Sequence, residues 1–429
     1  MVLVCVAGVV QAEQNQLMVR AKETGNDSLV LIQWEIDELL APRNYEAIGT
    51  CVKVEDGDAI VMLSGMSMFA PPEDFKRLRA VTSANPDSEL GDVSLLGVDR
   101  ASGMGFVRIS GDHGLKAVEF VVDAELDTGD EVASVGLLAK EMGLKPYVGS
   151  AYISASLRKP ETNYVVTGGE LTNMGSLVIN DAGQVVGLVN QQPYTPFQGV
   201  SEGRQLTLGL RGMMWSKGFL PAEEFVDVLD RIPASPDEVR EMPWIGALSV
   251  EAVDADFWDI YGMDSPGVKL NGVVPARAAD NSGLKDGDII VAVDGEGIEG
   301  MSTAAMTTQQ FLREFNRREV GDDVTFTILN EDGDRKDVVM TIPPFPTVPY
   351  QAETYLDRSV GMAIREKVEM DGLVDTTDAA DEAGVYVLMV AKGSPAALAE
   401  IRAGDLIVQV GGNDVATVEA YEREVAASI

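Results

Sequence analysis

Short runs of apolar residues, separated by Gly, Asp and Asn turns, fill the chain from about residue 28 to residue 212. The clearest runs are LVLIQWEI, AIGTCVKVEDGDAIVML, VSLLGVD, MGFVRIS, EVASVGLL, GSAYISASL, SLVIN, QVVGLV and QLTLGL. Many short strands at near-regular spacing are typical of a β-barrel or a β-sandwich. The pattern therefore predicts an all-β region, which PAEEFVDVLDRI closes with a helix at residues 221–232.

Beyond the Pro-rich, charged linker PASPDEVREMP, the chain contains an internal repeat. GLKDGDIIVAVDGEGI (283–298) and EIRAGDLIVQVGGNDV (400–415) align without gaps. Each copy then has a helical stretch, TTQQFLREFNR or TVEAYEREVAA. This spacing is too long for a solenoid and indicates two copies of one domain. The first copy continues through the hairpin pattern DDVTFTILNEDGDRKDVVMTI, whereas the second stops after its helix and lacks a closing strand.

The charge of the chain narrows the class of partner. The 69 acidic and 33 basic residues give a formal charge of −36. A surface this negative repels nucleic-acid phosphates and anionic lipids and attracts basic peptides, so no nucleic-acid partner is expected. A generally acidic proteome or a saline habitat would explain the same charge. After the N-terminal stretch, no segment reaches the roughly 18 apolar residues that would span a bilayer.

The N-terminal stretch MVLVCVAGVVQAEQ has a short apolar run before VQA, a small-residue cleavage pattern, but lacks a positively charged start. It predicts a signal-like leader at residues 1–12 and an extracytoplasmic protein, periplasmic or secreted. A buried first strand is the alternative. Cys5 lies in this leader, so Cys51 alone would remain and no disulfide is expected.

Taken together, these features resemble the HtrA/Deg family, in which a trypsin-like double β-barrel precedes two PDZ domains. The resemblance implies a mainly β fold with a trypsin-like domain at residues 28–232, a first PDZ domain at 240–345 and a second at 356–429 that is incomplete at its C-terminal end. It also implies a possible homo-oligomer, a trimer in many family members. The resemblance implies no cofactor.

The same resemblance aligns the catalytic positions of the trypsin-like domain. ELTNMGSLVINDAGQVVGLVN matches the nucleophile strand, with Met174 at the position of the serine. LLGVDRASGMGFVRI puts Gly103 at the triad aspartate, and DGDAIVMLSGM puts Ser64 or Gly65 at the triad histidine. Acyl transfer needs a hydroxyl or thiol nucleophile, a base, and a group that orients the base. None of these positions carries the group that its role requires.

Elsewhere in the chain no residue replaces the missing groups. The only histidine, His113, lies in the SGDHGLK turn, far in register from the base position. Ser176, two positions after Met174, has no base beside it. The EDGD sequences at 55–58 and 331–334 fit hairpin turns better than calcium loops, so no metal site is expected.

The two repeats contain the candidate binding residues. In PDZ domains an extended peptide adds as an extra strand beside a helix, and backbone N–H groups of a short loop hold its terminal carboxylate. The matching loops are PWIGA and SVGMA, in which glycine permits the backbone geometry that aims N–H groups inward. The alternative is an ordinary strand entry with a glycine bend. The candidate peptide-binding residues are Trp244, Ile245, Gly246, Ala247, Val360, Gly361, Met362 and Ala363.

The sequence therefore predicts a catalytically inactive HtrA-like protein that binds peptides or unfolded protein C-termini as an adaptor, scaffold or holdase. Two alternatives stay open. One is an active HtrA-like serine endopeptidase of envelope protein quality control, and the other is an assembly platform whose barrel binds a partner subunit. The single histidine favours the inactive protein over the active one.

Overall fold

The computed structural model describes most of the chain and divides into two compact units. The first unit comprises Met1–Glu35, Asn44–Met68 and Phe75–Arg240, and the rest of the chain forms the second unit. The leader expected at residues 1–12 lies outside the described residues. The described residues are 16–36, 41–64, 74–99, 102–191, 197–201, 204–208, 217–236, 240–330, 332–374 and 382–428.

The first unit begins with a helix, α1, at residues 16–28, and is otherwise built from strands. They are β1 (Leu29–Ile36), β2 (Arg43–Glu55), β3 (Asp58–Ser64), β4 (Phe75–Val81), β5 (Asp92–Asp99), β6 (Met104–Ser110), β7 (Glu131–Leu137), β8 (Pro146–Lys159), β9 (Glu161–Thr167), β10 (Leu177–Asn180), β11 (Val185–Gln191), β12 (Phe197–Ser201), β13 (Arg204–Leu208) and β14 (Lys217–Pro221). A short 3-10 turn spans Lys140–Met142.

These strands form two main sheets, with β12 and β13 as a separate pair. The first sheet has the order β4-β1-β2-β3-β6-β5, and a hydrogen bond of 2.8 Å from Leu90 N–H to Ala80 O joins its two edge regions. The second is a closed barrel of β10, β11, β14, β9, β8 and β7. One apolar core contains Ile60 and Phe106 of the first sheet and Leu177 and Leu188 of the barrel. The all-β region predicted from the apolar runs is confirmed.

Burial explains why the strands differ in composition. β3, with sequence DAIVMLS, is apolar throughout and buried at its five central residues, because both of its faces are covered. β20 (Arg335–Thr341), with sequence RKDVVMT, buries only Val338 and Met340 and leaves its other five residues exposed. One of its faces is therefore in contact with solvent.

The helix expected at residues 221–232 is absent, and two 3-10 turns, Ala222–Glu224 and Val226–Arg231, take its place. Phe225 separates them with a φ of −139°, a value outside the helical range. Phe225 and Val228 are nevertheless buried. The apolar spacing thus predicted the buried face correctly, but it predicted one helix where the chain forms two 3-10 turns.

The second unit contains two successive domains of similar element order. The first has β15 (Ala247–Ala252), a 3-10 turn (Ala255–Phe257), α2 (Trp258–Tyr261), β16 (Val268–Val273), α3 (Ala278–Ser282), β17 (Ile289–Val293), β18 (Glu296–Gly297), α4 (Ala304–Asn316), β19 (Asp323–Leu329) and β20. The second follows a 3-10 turn (Pro349–Gln351) and has β21 (Thr354–Asp357), β22 (Met362–Glu366), α5 (Glu369–Val374), β23 (Val385–Val390), α6 (Pro395–Leu398), β24 (Leu406–Ile407), β25 (Gln409–Val410), β26 (Asn413–Asp414) and α7 (Val418–Ser428).

The two domains differ in whether the strand that follows the glycine loop, β15 or β22, is paired on both sides. In the first domain the sheet order is β15-β16-β17-β19-β20, with β18 beside β17, so β15 is an edge strand. In the second, the order is β21-β22-β23-β24, so β22 is paired on both sides. The extra strand β21 begins at Thr354, two residues before the start of the domain expected at residue 356.

Within the described residues, no helix is both long and apolar enough to cross a membrane.

Candidate functional site

The turn that leads into β10 presents Met174 to solvent. Met174 is 46% exposed, and the next residue, Gly175, has a φ of +75°. Gly175 N–H donates to Val189 O at 2.8 Å, and Val189 N–H donates to Ser176 O at 2.8 Å. The turn is therefore anchored to β11 and holds the thioether of Met174 outward.

The three aligned catalytic positions come together at this turn. Ser64 ends β3 and lies opposite Met104 of β6, which directly follows Gly103. A β-carbon added at Gly175 would collide with Ser64 Oγ, so Ser64 lies against the residue after Met174. Gly65, the alternative base position, lies outside the described residues. The fold thus brings the predicted positions to one place.

The side chains at the three aligned positions lack the groups that acyl transfer uses. The thioether of Met174 has no proton to give, Ser64 is a hydroxyl where a base is required, and Gly103 has no side chain. The turn before Gly103 contains a buried carboxylate, Asp99, which accepts a hydrogen bond of 2.9 Å from Ser102 N–H. This contact shapes the turn of the first sheet.

A backbone donor that an oxyanion would need is also engaged. In trypsin-like enzymes the N–H groups of the nucleophile and of the residue two positions before it bind the oxyanion. Here the earlier N–H belongs to Thr172, and it donates to Ser134 Oγ at 2.7 Å inside the protein. Because Ser134 is fully buried, a substrate oxygen could accept from Thr172 N–H only after the hydrogen bond to Ser134 Oγ was broken.

Two other nucleophilic side chains of the first unit, Ser176 and Cys51, are not activated. Ser176 is fully buried, and its Oγ has no hydrogen-bond partner in the described structure. Cys51 in β2 is also fully buried, and burial raises the pKa of its thiol to about 11 although a hydrogen bond to the backbone of Lys53 lowers it. At neutral pH this thiol is protonated and a poor nucleophile.

The single histidine has a local structural role. His113 lies in the turn after β6, and Leu115 N–H donates to its Nδ1 at 3.0 Å. The side chain therefore stabilises the turn that follows the first sheet. The prediction that His113 is a turn residue agrees with this position.

Next to Met174 lies a cleft of about 440 Å³ that polar and apolar side chains line together. Trp34 and Tyr45 stack along it with ring centroids 5.9 Å apart. Asn173, also in its wall, accepts a hydrogen bond from Tyr147 and donates to Leu137 O at 3.4 Å. Such a cleft offers apolar contact and hydrogen bonds to a ligand but no covalent chemistry.

The loop of the first PDZ-like domain leaves two backbone donors available. Trp244, Ile245 and Ala247 are buried, and Gly246 has a φ of +81°. Val274 N–H donates to Gly246 O at 3.0 Å, and Trp244 Nε1 donates to Ala247 O at 3.1 Å, which fixes the loop. The N–H groups of Ile245 and Gly246 meet no acceptor among the described residues. A carboxylate could bind there.

The loop of the second domain has the same shape but different contacts. Gly361 has a φ of +73°, and Met362 and Ala363 begin the buried strand β22. Gly361 N–H donates to Asp357 O at 2.9 Å, and Val360 N–H donates to Asp357 Oδ1 at 3.3 Å. The donors that the sequence assigned to a ligand are therefore bonded within the chain.

Neither region contains a metal centre, since no group of three or more His, Cys, Asp or Glu side chains in the described residues could hold an ion. Their arrangement instead matches known domain families. The trypsin-like peptidase domain matches residues 49–188, and the PDZ domain matches residues 243–329 and 386–428. The chain thus combines a trypsin-like domain with two PDZ domains, and these matches support a place in the HtrA/DegP family.

The chain is also similar to proteins that are described as DegP-like proteases. A probable periplasmic serine endoprotease DegP-like of Halomonas elongata is 26% identical over 355 residues, which cover 79% of this chain and 66% of that protein. A protein of the same description from Chlamydia trachomatis is 23% identical over 349 residues, covering 79% of this chain and 63% of the relative. The chain thus spans slightly less than two thirds of the length of these relatives.

Solved structures show the same fold at low identity. HtrA-type protease AlgW with a tripeptide superposes with a TM-score of 0.53 at 14% identity, over 77% of this chain and 98% of that chain. The serine endoprotease from Yersinia pestis gives 0.50 at 16% identity, over 76% of this chain and 98% of that chain. The fold predicted from the sequence, a trypsin-like domain followed by two PDZ domains, is confirmed.

Proposed function

We propose that this chain is a catalytically inactive HtrA-like protein that captures peptides or unfolded protein C-termini. It acts as an adaptor, scaffold or holdase. One observation supports the proposal: Ser64 lies against Gly175 and opposite Met104, so it is close to the Met174 turn and to Gly103, and none of the three aligned residues has the group that a base, an orienting carboxylate or a nucleophile needs. The hydrogen bond between Thr172 N–H and Ser134 Oγ supports the same conclusion, because it occupies an oxyanion donor.

The names of the relatives favour the alternative of an active protease, since they are described as probable serine endoproteases. The names of these relatives do not supply the catalytic groups that the aligned positions of this chain lack. An active enzyme needs a base beside its nucleophile, and the only histidine of this chain lies in the turn after β6.

Activity-based labelling tests the proposal directly. The chain is incubated with a fluorophosphonate probe and, separately, with casein, with trypsin as the positive control. We expect no labelled residue and no casein fragments above buffer. Met174→Ser alone should stay unlabelled, because the base and its orienting carboxylate are also absent and these groups act as a unit. Labelling of any serine in the wild-type protein would overturn the proposal.

Peptide capture by the first PDZ domain is the positive half of the proposal. The N–H groups of Ile245 and Gly246 would hold a terminal carboxylate, and β15, as an edge strand, would pair with the incoming peptide. Main-chain hydrogen bonds then supply much of the affinity, so many sequences should bind. The charge of −36 should favour peptides with basic residues upstream of an apolar C-terminal residue.

Titration of labelled peptides into the full chain tests this half. A peptide with two lysines upstream of a C-terminal valine should bind, and its C-terminally amidated form should not. The association rate should fall as salt is added, because the screening length shrinks to roughly 3 Å at 1 M. Equal affinity for the free and amidated peptides would mean that no carboxylate site exists and would favour the assembly platform.

The same proposal locates the protein outside the cytoplasm and allows a homo-oligomer, a trimer by family resemblance. The description of the relatives as periplasmic supports the location. Cell fractionation and light scattering test the two statements. A cytoplasmic protein or a strict monomer would remove the corresponding part of the proposal.

A further inference from the structure

We propose that the second PDZ domain contains a second binding site for peptide C-termini, and that β21 fills this site as an internal ligand. The proposal builds on the proposed function, which assigns C-terminal peptide binding to the first PDZ domain. In the closed arrangement β21 lies along β22 and the Asp357 side chain takes the place of a terminal carboxylate. Displacement of β21 opens the site.

The strand pairing supports this assignment. β21 runs antiparallel to β22, with Thr354 opposite Arg365, Leu356 opposite Ala363 and Asp357 opposite Met362. A PDZ ligand adds to the sheet edge as a strand and ends at the loop. β21 has this geometry, because it covers the edge of β22 opposite to β23 and its last residue lies at the SVGMA loop.

Donors converge on the Asp357 carboxylate from the loop and from the helix. Asp357 Oδ1 accepts from Ser359 N–H at 2.8 Å, from Ser359 Oγ–H at 2.5 Å and from Val360 N–H at 3.3 Å. Asp357 Oδ2 accepts from Tyr421 Oη–H of α7 at 2.9 Å. Asp357 and Tyr421 are 3% and 2% exposed. Two backbone N–H groups and two hydroxyls thus form a cradle around a buried carboxylate.

The side chains of β21 complete the occupied groove. Tyr355 packs against the buried core of the domain, and its ring centroid lies 6.4 Å from that of Tyr421. Tyr421 belongs to α7, which corresponds in order to α4 of the first domain. A peptide bound in this groove would place a side chain where Tyr355 lies. An aromatic or large apolar residue therefore fits this position of the ligand.

In the first domain, no strand of the described residues lies on the corresponding edge. There the segment before the loop turns away from the sheet edge: Trp244 N–H donates to Pro343 O at 2.9 Å, and Phe345 N–H donates to Met242 O at 2.7 Å. Met242 holds the position, four residues before the loop glycine, that Asp357 holds in the second domain. A methionine cannot act as an internal carboxylate.

An internal ligand weakens the binding of an external one. A tethered segment has an effective concentration on the order of millimolar, so a peptide must compete with it at that concentration. The apparent affinity of a site that is open only part of the time falls by the open fraction. We therefore expect the second site of the wild-type chain to bind at least about tenfold more weakly than the same site without its internal ligand.

Stoichiometry in the full chain tests the inference. The lysine-containing peptide with a free C-terminal valine is titrated into wild-type protein, Asp357→Ala and the control Glu353→Gln. Glu353 is exposed and directly precedes β21. It has the same negative charge as Asp357, but its side chain does not belong to the cradle. We expect one site per chain in the wild type and the control, and two in Asp357→Ala. The amidated peptide should occupy neither site.

The outcomes separate this inference from the proposed function. No site in the wild type and one in Asp357→Ala would overturn peptide binding by the first domain and support the inference. One site in both proteins would overturn the inference and leave the proposed function standing. A second variant, Tyr355→Ser, should also add a site, because it removes the ring that fills the groove.

Hydrogen exchange of the wild-type chain tests the inference without variants that could misfold. Amides of β21 and β22 should both be protected in hydrogen exchange of the full chain, because the two strands are paired. Addition of peptide at millimolar concentration should speed exchange in β21 while β22 stays protected. Exchange of β21 at the rate of an unfolded segment without peptide would overturn the inference.

Discussion

The two PDZ domains place a loop glycine in the same left-handed conformation, with φ of +81° at Gly246 and +73° at Gly361. In the first domain the neighbouring N–H groups of Ile245 and Gly246 meet no acceptor among the described residues. In the second, the corresponding groups of Val360 and Gly361 donate to Asp357. Similar loop sequences thus give the same backbone shape in both domains. These backbone N–H groups of the loop, however, are bonded within the described part of the chain only in the second domain.

The difference arises from the segment that precedes each loop. A strand edge binds whatever extended chain reaches it, whether a ligand or a neighbouring part of the same protein. β22 has β21 on that edge, and β15 has no strand there in the described structure. The loop motif alone therefore does not tell whether a PDZ groove is available, and the predictions below test this comparison.

The largest effect should come from the two loop glycines. Gly246→Ala and Gly361→Ala should each lower the free energy of unfolding of their domain by roughly 2–4 kcal/mol, from the left-handed backbone and from overpacking. A β-carbon at position 246 would lie 2.7 Å from Ala279 Cβ, and one at position 361 would collide with Ser394 Cβ. Hydrogen exchange resolved by mass spectrometry reports each domain separately.

The two glycine variants should differ in peptide binding. Gly246→Ala should abolish binding of the free C-terminal peptide by the full chain, and Gly361→Ala should leave it unchanged. The matched controls are Gly283→Ala and Gly393→Ala, whose φ values are also positive but whose β-carbons would meet open space. Loss of wild-type binding in Gly361→Ala would contradict the view that the second groove is filled.

A smaller effect should follow from the hydroxyl of the second groove. Tyr421→Phe removes one donor from the buried carboxylate of Asp357, and a hydrogen bond to a charged group is worth about 2 kcal/mol. Tyr355→Phe, in the same groove, should change stability by less than about 0.5 kcal/mol, because its hydroxyl makes no hydrogen bond among the described residues. Urea unfolding measured by hydrogen exchange of β22 compares the two variants. Equal losses would mean that the Tyr421 hydroxyl does not hold Asp357.

The smallest effect, absent at neutral pH, should appear in acid. Burial raises the pKa of Asp357, but hydrogen bonds from Ser359 and Tyr421 outweigh it and bring the pKa below its ordinary value. The pKa of Asp371 is lowered in the same way, with burial opposed by its bonds to Arg365. A carboxylate with a lowered folded-state pKa stabilises the domain above its unfolded pKa of about 3.9, and this stability is lost as the pH falls through the folded value.

The second PDZ domain should therefore lose structure at a higher pH than the first. In the first domain the hydrogen bond and charge of Arg335 lower the pKa of Asp264, but this carboxylate is exposed and solvent screens its contribution. Isoleucine methyl signals of the two domains, followed from pH 6 to pH 2, measure the difference. Asp357→Asn should make the second domain less sensitive to acid. A simultaneous transition of both domains in the wild type would contradict this ranking.

Sequence reasoning succeeded where the apolar pattern was strong. LVLIQWEI and MGFVRIS coincide with β1 and β6, and the gap-free repeat found the two PDZ domains. Among the strands that it missed are β4 and β14, β9, which only Pro160 separates from β8, and β21, which is only four residues long. It also mistook two 3-10 turns for a helix, because both bury an apolar face at similar spacing.

The aligned catalytic positions remain a prediction. Their register depends on the strands around them, and in the structure Ser64 lies opposite Met104 and against Gly175. The bond between Thr172 N–H and Ser134 Oγ could not be predicted, since 38 residues separate the partners and neither has a motif. The peptide-binding assignment of the two loops remains a prediction.

By itself, the sequence determined the kinds of domain and their order, because periodicity, turn residues and side-chain identity are local properties. Only the tertiary structure decided which backbone donors are engaged. Asp357 and Tyr421 are 64 residues apart in the chain, and their contact depends on β21 lying along β22 and on α7 packing above it. A hydrogen bond between distant residues exists only after the sheet has formed, since no local pattern brings its two partners together.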